Sequence, residues 1–228
     1  MSSKVLSTKI LSSPQRSLVL NAGLRLVEYN AINITYLNFE LPKTPFDAYI
    51  FTSQNGVQSF TKQYAKSLSS TKKPSNSKPV YCVGEKTKQL LEKNCFHVME
   101  VADSAKELGE RIVANPKKTS FLWIAGNRRR NELSELLNHH QITFNILIGY
   151  NTSLNPKSFK QYFDGVLFFS PSGVSSFFQK NEMTGTAFCI GQTTVEAVQK
   201  HTNSYHVANR ATVENVIVQA VKHLQKND

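Results

Sequence analysis

The chain has 228 residues, of which 40% are hydrophobic and 19% are charged, as in an ordinary globular protein. No apolar run approaches the roughly 20 residues that a membrane-spanning helix needs, and the three cysteines lack the paired spacing of a disulfide framework or a zinc site. The formal net charge of +11 favours an anionic partner, but the basic residues are dispersed and no nucleic-acid-binding motif occurs. Composition therefore predicts a cytoplasmic protein with no membrane segment, no metal and no nucleic-acid partner.

The N-terminal segment allows two interpretations. No acidic residue precedes Glu28, which is a feature of transit peptides. The same residues fit a first strand at 4–8 and a helix at 17–29, and we prefer this interpretation.

The apolar pattern predicts strands and helices in alternation along the rest of the chain. Further strands are predicted at 33–37, 48–51, 79–83, 96–101, 120–125 and 144–150. Further helices are predicted at 56–66, 87–94, 104–113 and 129–139, and an amphipathic helix ends the chain. Connectors are predicted at 41–45 and 151–156, and an exposed loop at 67–78. Alternation of this kind predicts parallel sheets with helices on both faces.

Three segments of the chain are repeated in the same order. Residues 46–60 (FDAYIFTSQNGVQSF) and 163–177 (FDGVLFFSPSGVSSF) match at eight of fifteen positions, and VYCVGEKT and VADSAKEL are repeated as AFCIGQTT and VANRATVEN. The sequence therefore contains two copies of one α/β unit. The second copy has too few strands by itself, so we predict a discontinuous domain of residues 1–37 and 153–228 and an inserted domain of residues 38–152. Both would be doubly wound, flavodoxin-like parallel sheets, joined by a two-stranded linker with a cleft between them.

Ligands of such folds bind where parallel strands end. The loops at these ends carry hydroxyls, glycines and backbone N–H groups with few acids, which suits carboxylates or phosphates but supplies no strong acid–base pair. We predict ligand contacts at Thr52, Ser53, Asn55, Gly56, Gly84, Thr87, Gly126, Arg130, Ser170, Ser172, Gly173, Gly191, Thr193 and Thr194. Nucleotide-binding fingerprints and metal-ligand spacings of histidine are absent from the sequence.

Six segments together resemble the uroporphyrinogen-III synthase family over nearly the whole chain. They are FTSQNGV, VYCVGEKT, FLWIAGNRRRNEL, ILIGYNT, FFSPSGV and CIGQTTVEAV. The resemblance implies two α/β domains on a two-stranded linker and an enzyme that needs no cofactor. Its substrate would be hydroxymethylbilane, a linear polycarboxylate that is closed to uroporphyrinogen III with loss of water and inversion of ring D.

The resemblance also implies roles for particular residues. Tyr150 in ILIGYNT matches the family tyrosine proposed to give a proton to the leaving hydroxyl, although a packed linker aromatic is the alternative. Further matches are family threonines and carboxylate-contacting loops, at Thr87, Thr193, Thr194, Ser53, Ser170, Ser172, Gly173 and Val174. The N-terminal region departs from the family pattern, because Lys9 stands where an arginine is frequent and the first helix lacks its usual terminating glycine.

Two other hypotheses stay open at this stage. A non-catalytic two-domain sensor could bind an anionic ligand through the same loops, and a nucleic-acid-binding protein would rest on net charge alone. For the enzyme we predict a monomer, and a transient contact with the preceding bilane-forming enzyme remains an open alternative.

Overall fold

A computed structural model of the chain describes residues 2–67, 78–115 and 119–225, except the side chains of residues 64–67. Its strands are β1 (Lys4–Ser7), β2 (Arg25–Glu28), β3 (Ile32–Tyr36), β4 (Ala48–Phe51), β5 (Val80–Val83), β6 (Val98–Ala102), β7 (Phe121–Gly126), β8 (Phe144–Leu154), β9 (Gly165–Phe168), β10 (Thr186–Cys189) and β11 (Tyr205–Val207). Its helices are α1 (Ser13–Leu20), α2 (Gln54–Ser67), α3 (Glu85–Lys93), α4 (Ala105–Ala114), α5 (Glu132–His139), α6 (Pro171–Phe178), α7 (Gln192–Val198) and α8 (Val213–Leu224). The loop predicted at 67–78 lies almost wholly outside the described residues. Within the described ranges, no helix has the length and apolarity that a membrane crossing requires.

The chain divides into two compact units. The first unit contains Met1–Asn33 and Ser153–Asp228, and the second contains Ile34–Thr152. The chain passes from one unit to the other within β3 and returns within β8. This division differs from the domain boundaries predicted from the sequence at residues 34–37.

Each unit contains a sheet of parallel strands with helices on both faces, and β3 adds an antiparallel edge strand to the second sheet. The strand order is β11-β10-β9-β1-β2 in the first unit and β3-β8-β7-β4-β5-β6 in the second. Apolar residues of α1 and α8 pack on one face of the first sheet and those of α6 and α7 on the other. In the second unit, α2 and α3 cover one face and α4 and α5 the other. The predicted doubly wound α/β fold is confirmed.

The two sheets are related by a circular permutation. Strands β9, β10 and β11 occupy the positions that β4, β5 and β6 hold in the second unit, and β1 and β2 correspond to β7 and β8. Counted along the chain, the strand order is 2-1-3-4-5 in the first unit and 3-2-1-4-5 among the parallel strands of the second. In each order, the loops on either side of the point where winding reverses form the expected ligand site.

The repeated aspartates make equivalent contacts in the two copies. Asp47 Oδ2 accepts hydrogen bonds from the Ser120 N–H at 2.8 Å and from its hydroxyl at 2.7 Å. Asp164 Oδ2 accepts one from the Lys4 N–H at 2.6 Å. Ser120 directly precedes β7, and Lys4 begins β1, the equivalent strand. Each aspartate therefore ties the beginning of its own strand to the beginning of the neighbouring strand.

The helix predicted at 17–29 is wrong. Helix α1 begins earlier, because Ser12 and Gln15 form a capping box and Pro14 occupies the first turn. It ends at Leu20, and Gly23 follows with a φ of 78°, a conformation that favours glycine. The expectation that this helix lacks a terminating glycine is therefore also wrong.

The second half of that predicted helix is strand β2. Leu26 packs with the core on one face of the first sheet, and Val27 packs with the core on the opposite face. Adjacent side chains of a strand point to opposite faces, whereas a helix would have buried only a stripe of this segment. Parallel pairing with β1 makes this segment a strand, and its short apolar run alone does not distinguish a strand from a helix.

Candidate active site

The loop after β4 begins the candidate site of the second unit. Ser53 caps helix α2, and its Oγ accepts a hydrogen bond from the Gly56 N–H at 3.1 Å. A Cβ at Gly56 would lie 2.9 Å from the Ile124 carbonyl oxygen, so only glycine allows the helix to approach β7 this closely. Thr52 Oγ1 accepts from the Trp123 indole N–H at 3.3 Å, and Asn55 is half-buried in the first turn of the helix.

Tyr150 reaches this loop from β8. Its side chain is only 9% exposed, and its hydroxyl lies 2.8 Å from Ser53 Oγ. Its ring covers Gly126, where an added Cβ would be 2.5 Å from Tyr150 Cε2 and 2.9 Å from the hydroxyl oxygen. The structure therefore brings together three residues predicted from separate motifs.

A β-bulge in β8 directs Tyr150 to this position. Ala125 pairs with Ile148, but Gly126 pairs with Tyr150, so Gly149 is skipped in the ladder with β7. A bulge of this kind changes the direction of the next side chain and is common beside active sites. The Gly149 carbonyl instead accepts from the Leu37 N–H at 2.9 Å and from the Ser59 hydroxyl at 2.6 Å.

A second phenol, Tyr36 in β3, lies near Tyr150 and was not anticipated from the sequence. The Tyr36 hydroxyl donates to Gln58 Oε1, and the Lys62 ammonium lies 4.1 Å from the centre of the ring. Burial, and then the nearby Tyr150, raises the pKa of Tyr36. No local motif marks this residue, since its position depends on the pairing of β3 with β8.

The other residues predicted in the second unit follow strands β5 and β7. Gly84, with a φ of 83°, precedes α3, and Thr87 in the first turn of that helix is only 4% exposed. Arg130 is exposed in the loop after β7, and its guanidinium lies 3.7 Å from the Glu132 carboxylate.

The first unit has an equivalent loop after β9. Ser170 Oγ accepts from the Gly173 N–H at 3.1 Å, the same contact that Ser53 makes with Gly56. Ser172 is half-buried in the first turn of α6. Val174 is packed in the core and its N–H donates to the Ser170 carbonyl, so neither its side chain nor its N–H is free for a ligand.

The remaining residues predicted in the first unit follow β1 and β10. Lys9 is exposed, and its carbonyl accepts from the Ser7 hydroxyl at 2.5 Å. Gly191 precedes α7 in an extended conformation with a φ of −175°, unlike its repeat partner Gly84. Thr193 is half-buried and Thr194 is almost fully buried in the first turn of α7.

Chemically, the second unit offers a phenol beside a serine hydroxyl and a helix N-terminus. The first unit offers the serine and the helix, and among its described residues no tyrosine hydroxyl is hydrogen-bonded to Ser170. Among the described residues, no three histidine, cysteine or acidic side chains are grouped as metal ligands. Burial raises the pKa of the equivalent thiols Cys82 and Cys189, to about 11 and about 12, so both are protonated packing groups.

The family model for uroporphyrinogen-III synthase HemD matches residues 16–217. This chain belongs to the uroporphyrinogen-III synthase family. Members of the family are enzymes of tetrapyrrole biosynthesis, so the resemblance and the enzyme prediction are confirmed. No curated protein sequence matches the chain at a significant level.

Solved structures of the family have the same fold. Uroporphyrinogen-III synthetase from Helicobacter pylori is similar with a TM-score of 0.73 and 22% identity, over 98% of this chain and 100% of that chain. A mutant uroporphyrinogen III synthase from the extremely thermophilic bacterium Thermus thermophilus is similar with a TM-score of 0.69 and 12% identity, over 100% of both chains. At such identities the likeness concerns the fold.

Proposed function

We propose that this family member converts hydroxymethylbilane to uroporphyrinogen III, and that Tyr150 supplies the proton with which the hydroxyl group leaves. The observation that supports this role most directly is the 2.8 Å contact between the Tyr150 hydroxyl and Ser53 Oγ at the beginning of helix α2. The family match favours this enzyme over the sensor hypothesis.

In the first step, the bond between the hydroxymethyl carbon and its oxygen breaks, and the pyrrole nitrogen contributes its electron pair to form an azafulvene cation. The leaving oxygen takes the phenolic proton of Tyr150 and departs as water. Ring closure through a spiro intermediate at ring D later releases a proton, which restores the phenol. The net change is the loss of one water.

Ser53 is suited to stabilise the transient phenolate. Its oxygen already accepts the Gly56 N–H, so its own proton is available for Tyr150. Hydrogen bonds to a charged group are stronger than those between neutral groups, and the N-terminus of a helix favours an anion. In the first unit, Ser170 makes the same cap and bonds to no tyrosine hydroxyl among the described residues, and we propose that this loop only binds substrate.

The substrate's carboxylates would be held by the remaining hydroxyls, N–H groups and exposed cations. We propose these roles for Thr52, Asn55, Gly84, Thr87, Arg130, Lys9, Ser170, Ser172, Gly191, Thr193 and Thr194. We propose that Gly56 and Gly173, whose N–H groups donate to the serine caps, and Gly126, which the Tyr150 ring covers, instead shape these loops. Holding ring D in the productive orientation is the main task, because the free bilane closes to the uninverted isomer. We further propose a cytoplasmic monomer that needs no cofactor.

The test is to supply freshly prepared hydroxymethylbilane to purified protein, oxidise the products and separate the isomers by chromatography. The expected product is predominantly the type III isomer at catalytic protein concentrations. Only type I, formed at the spontaneous rate, would overturn the proposed activity.

The role of Tyr150 is tested by Tyr150→Phe with Tyr81→Phe as the matched control. Tyr81 is a half-buried tyrosine of β5 in the same unit, and its ring packs edge-on against Phe121. Loss of a proton donor is expected to lower kcat by about 100-fold. The control is expected to keep full activity, and a Tyr150→Phe variant with full activity would remove Tyr150 from the mechanism.

A further inference from the structure

Asn127 fastens the strand that carries Tyr150. Its side-chain oxygen accepts a hydrogen bond from the Thr152 N–H at 2.8 Å, and its side-chain nitrogen donates to the Thr152 carbonyl at 3.3 Å. Its backbone N–H donates to the Tyr150 carbonyl at 3.2 Å. One residue thus holds the backbone of two β8 residues, Tyr150 and Thr152, through three hydrogen bonds.

These bonds lie where the regular ladder has been interrupted. The bulge at Gly149 shifts the register between β7 and β8, and Gly126 is the last residue of β7. Beyond this point β8 is no longer paired with a β7 residue, and Asn127 supplies the hydrogen bonds that hold β8. The side-chain amide of Asn127 suits the N–H and C=O of Thr152, because a primary amide offers one acceptor and two donors.

Tyr150 is consequently fixed from both sides along its strand. Before it, the Gly149 carbonyl is held by the Ser59 hydroxyl and the Leu37 N–H. After it, Asn127 holds Thr152. The phenol ring itself lies directly on Gly126, and its hydroxyl contacts Ser53.

We propose that Asn127 is a positioning residue that keeps the Tyr150 hydroxyl at Ser53 by holding the Thr152 peptide beyond the bulge. This inference rests on the proposed role of Tyr150 as proton donor. Arg128 reinforces the same point, because its Nε donates to the Thr152 carbonyl at 3.2 Å. Asn127 touches no reacting atom in this proposal and acts through Tyr150.

The position of Tyr150 can be measured without an activity assay. In Asn127→Ala, the Thr152 amide is expected to exchange its hydrogen at least about tenfold faster, because its acceptor is gone. In protein labelled with 3-fluorotyrosine, the Tyr150 signal, assigned through its absence in Tyr150→Phe, is expected to shift or broaden. Asn131→Ala is the matched control, since Asn131 is an exposed asparagine of the same loop whose side chain makes no cap hydrogen bond to α5. Unchanged Thr152 exchange and an unchanged fluorine signal in Asn127→Ala would overturn the proposal.

The catalytic consequence is measured with a double-mutant cycle. Asn127→Ala is expected to lower kcat roughly tenfold with little change in KM, because two hydrogen bonds that hold the proton donor are lost. In the Tyr150→Phe background, the same substitution is expected to change kcat less than about twofold, since there is no phenolic proton left to position. An equal loss in both backgrounds would show a general structural effect and overturn the proposal.

A conservative variant tests whether the effects of Asn127→Ala come only from a loss of folding. Asn127→Asp keeps an acceptor for the Thr152 N–H and is expected to retain slow amide exchange, whereas loss of that protection would count against the proposed contact. Should Tyr150→Phe itself prove fully active, the proposed function of Tyr150 would fail. The exchange and fluorine measurements would still decide whether Asn127 holds Tyr150 in place.

Discussion

Replacing Gly126 with alanine should test the packing of the proposed proton donor most severely. The new Cβ would lie 2.5 Å from Tyr150 Cε2, and ordinary van der Waals contact begins at 3.4 Å, so the ring must withdraw by about 0.9 Å. A misplacement of roughly 1 Å at a reacting group can lower a rate by about 100-fold. We therefore expect kcat for the type III isomer to fall by about that factor, with a loss of about 1–3 kcal/mol in unfolding free energy from the crowding.

The assay is the isomer analysis at saturating hydroxymethylbilane, together with urea denaturation of the same preparation. Gly109→Ala is the matched control, because its Cβ would lie 2.7 Å from Leu136 Cδ2 in the same unit but between helices α4 and α5. Crowding there falls on the end of a flexible side chain, and alanine is favoured over glycine in a helix by about 1 kcal/mol, so the two effects nearly cancel. Activity per folded molecule is expected to be unchanged in this control.

Full kcat in a folded Gly126→Ala variant would refute the reasoning. It would mean either that the phenol can leave Gly126 without consequence for the reaction or that it does not take part. A reduced kcat in Gly109→Ala as well would show that activity simply follows packing in the second unit.

Three further predictions use the repeat and the perturbed groups. Ser53→Ala and Ser170→Ala should each cost about 1 kcal/mol of unfolding free energy as lost helix caps, but Ser53→Ala should mainly lower kcat and Ser170→Ala mainly raise KM, as steady-state kinetics would show. Hydrogen bonds from Ser120 lower the pKa of Asp47, so the stability it contributes is present above the ordinary carboxyl pKa and lost as pH falls through the lowered one. Asp47→Asn should therefore make the urea midpoint depend less on pH between about pH 5 and pH 2, and an unchanged pH dependence would contradict this. Burial, and then His223, lowers the pKa of His206, so protonation favours unfolding and stability should fall as pH drops below about 6.5. His223→Gln should weaken that decline, and an identical decline in both proteins would contradict the coupling.

The repeat itself could be predicted because its residues act locally. Phe51 and Phe168 are fully buried, and Ser53 and Ser170 each cap the helix that follows, so hydrophobicity and capping chemistry mark both copies within a short window. The predicted helix at 17–29 failed for the opposite reason. Its second half becomes a strand through pairing with β1, and the periodicity of a four-residue segment does not distinguish the two states.

The candidate site could be predicted only in part. Tyr150, Ser53 and Gly126 each lie in a recognisable motif, but their meeting depends on a hydrogen bond across 97 positions of sequence. Tyr36 escaped prediction because it lies in no recognisable motif, and Asn127, although it lies in FLWIAGNRRRNEL, contacts Thr152 only through the pairing of distant segments.

The sequence by itself determined most of the alternating α/β elements, the duplicated unit, the family and the residue types of the candidate site, because these follow from periodicity, capping and local motif. Only the tertiary structure decided the permuted strand order, the bulge at Gly149 and the residues that hold Tyr150 in place. The physical reason is that strand register and side-chain direction are set by hydrogen bonds and packing between distant segments, and a shift of one residue in β8 changes which way each side chain points.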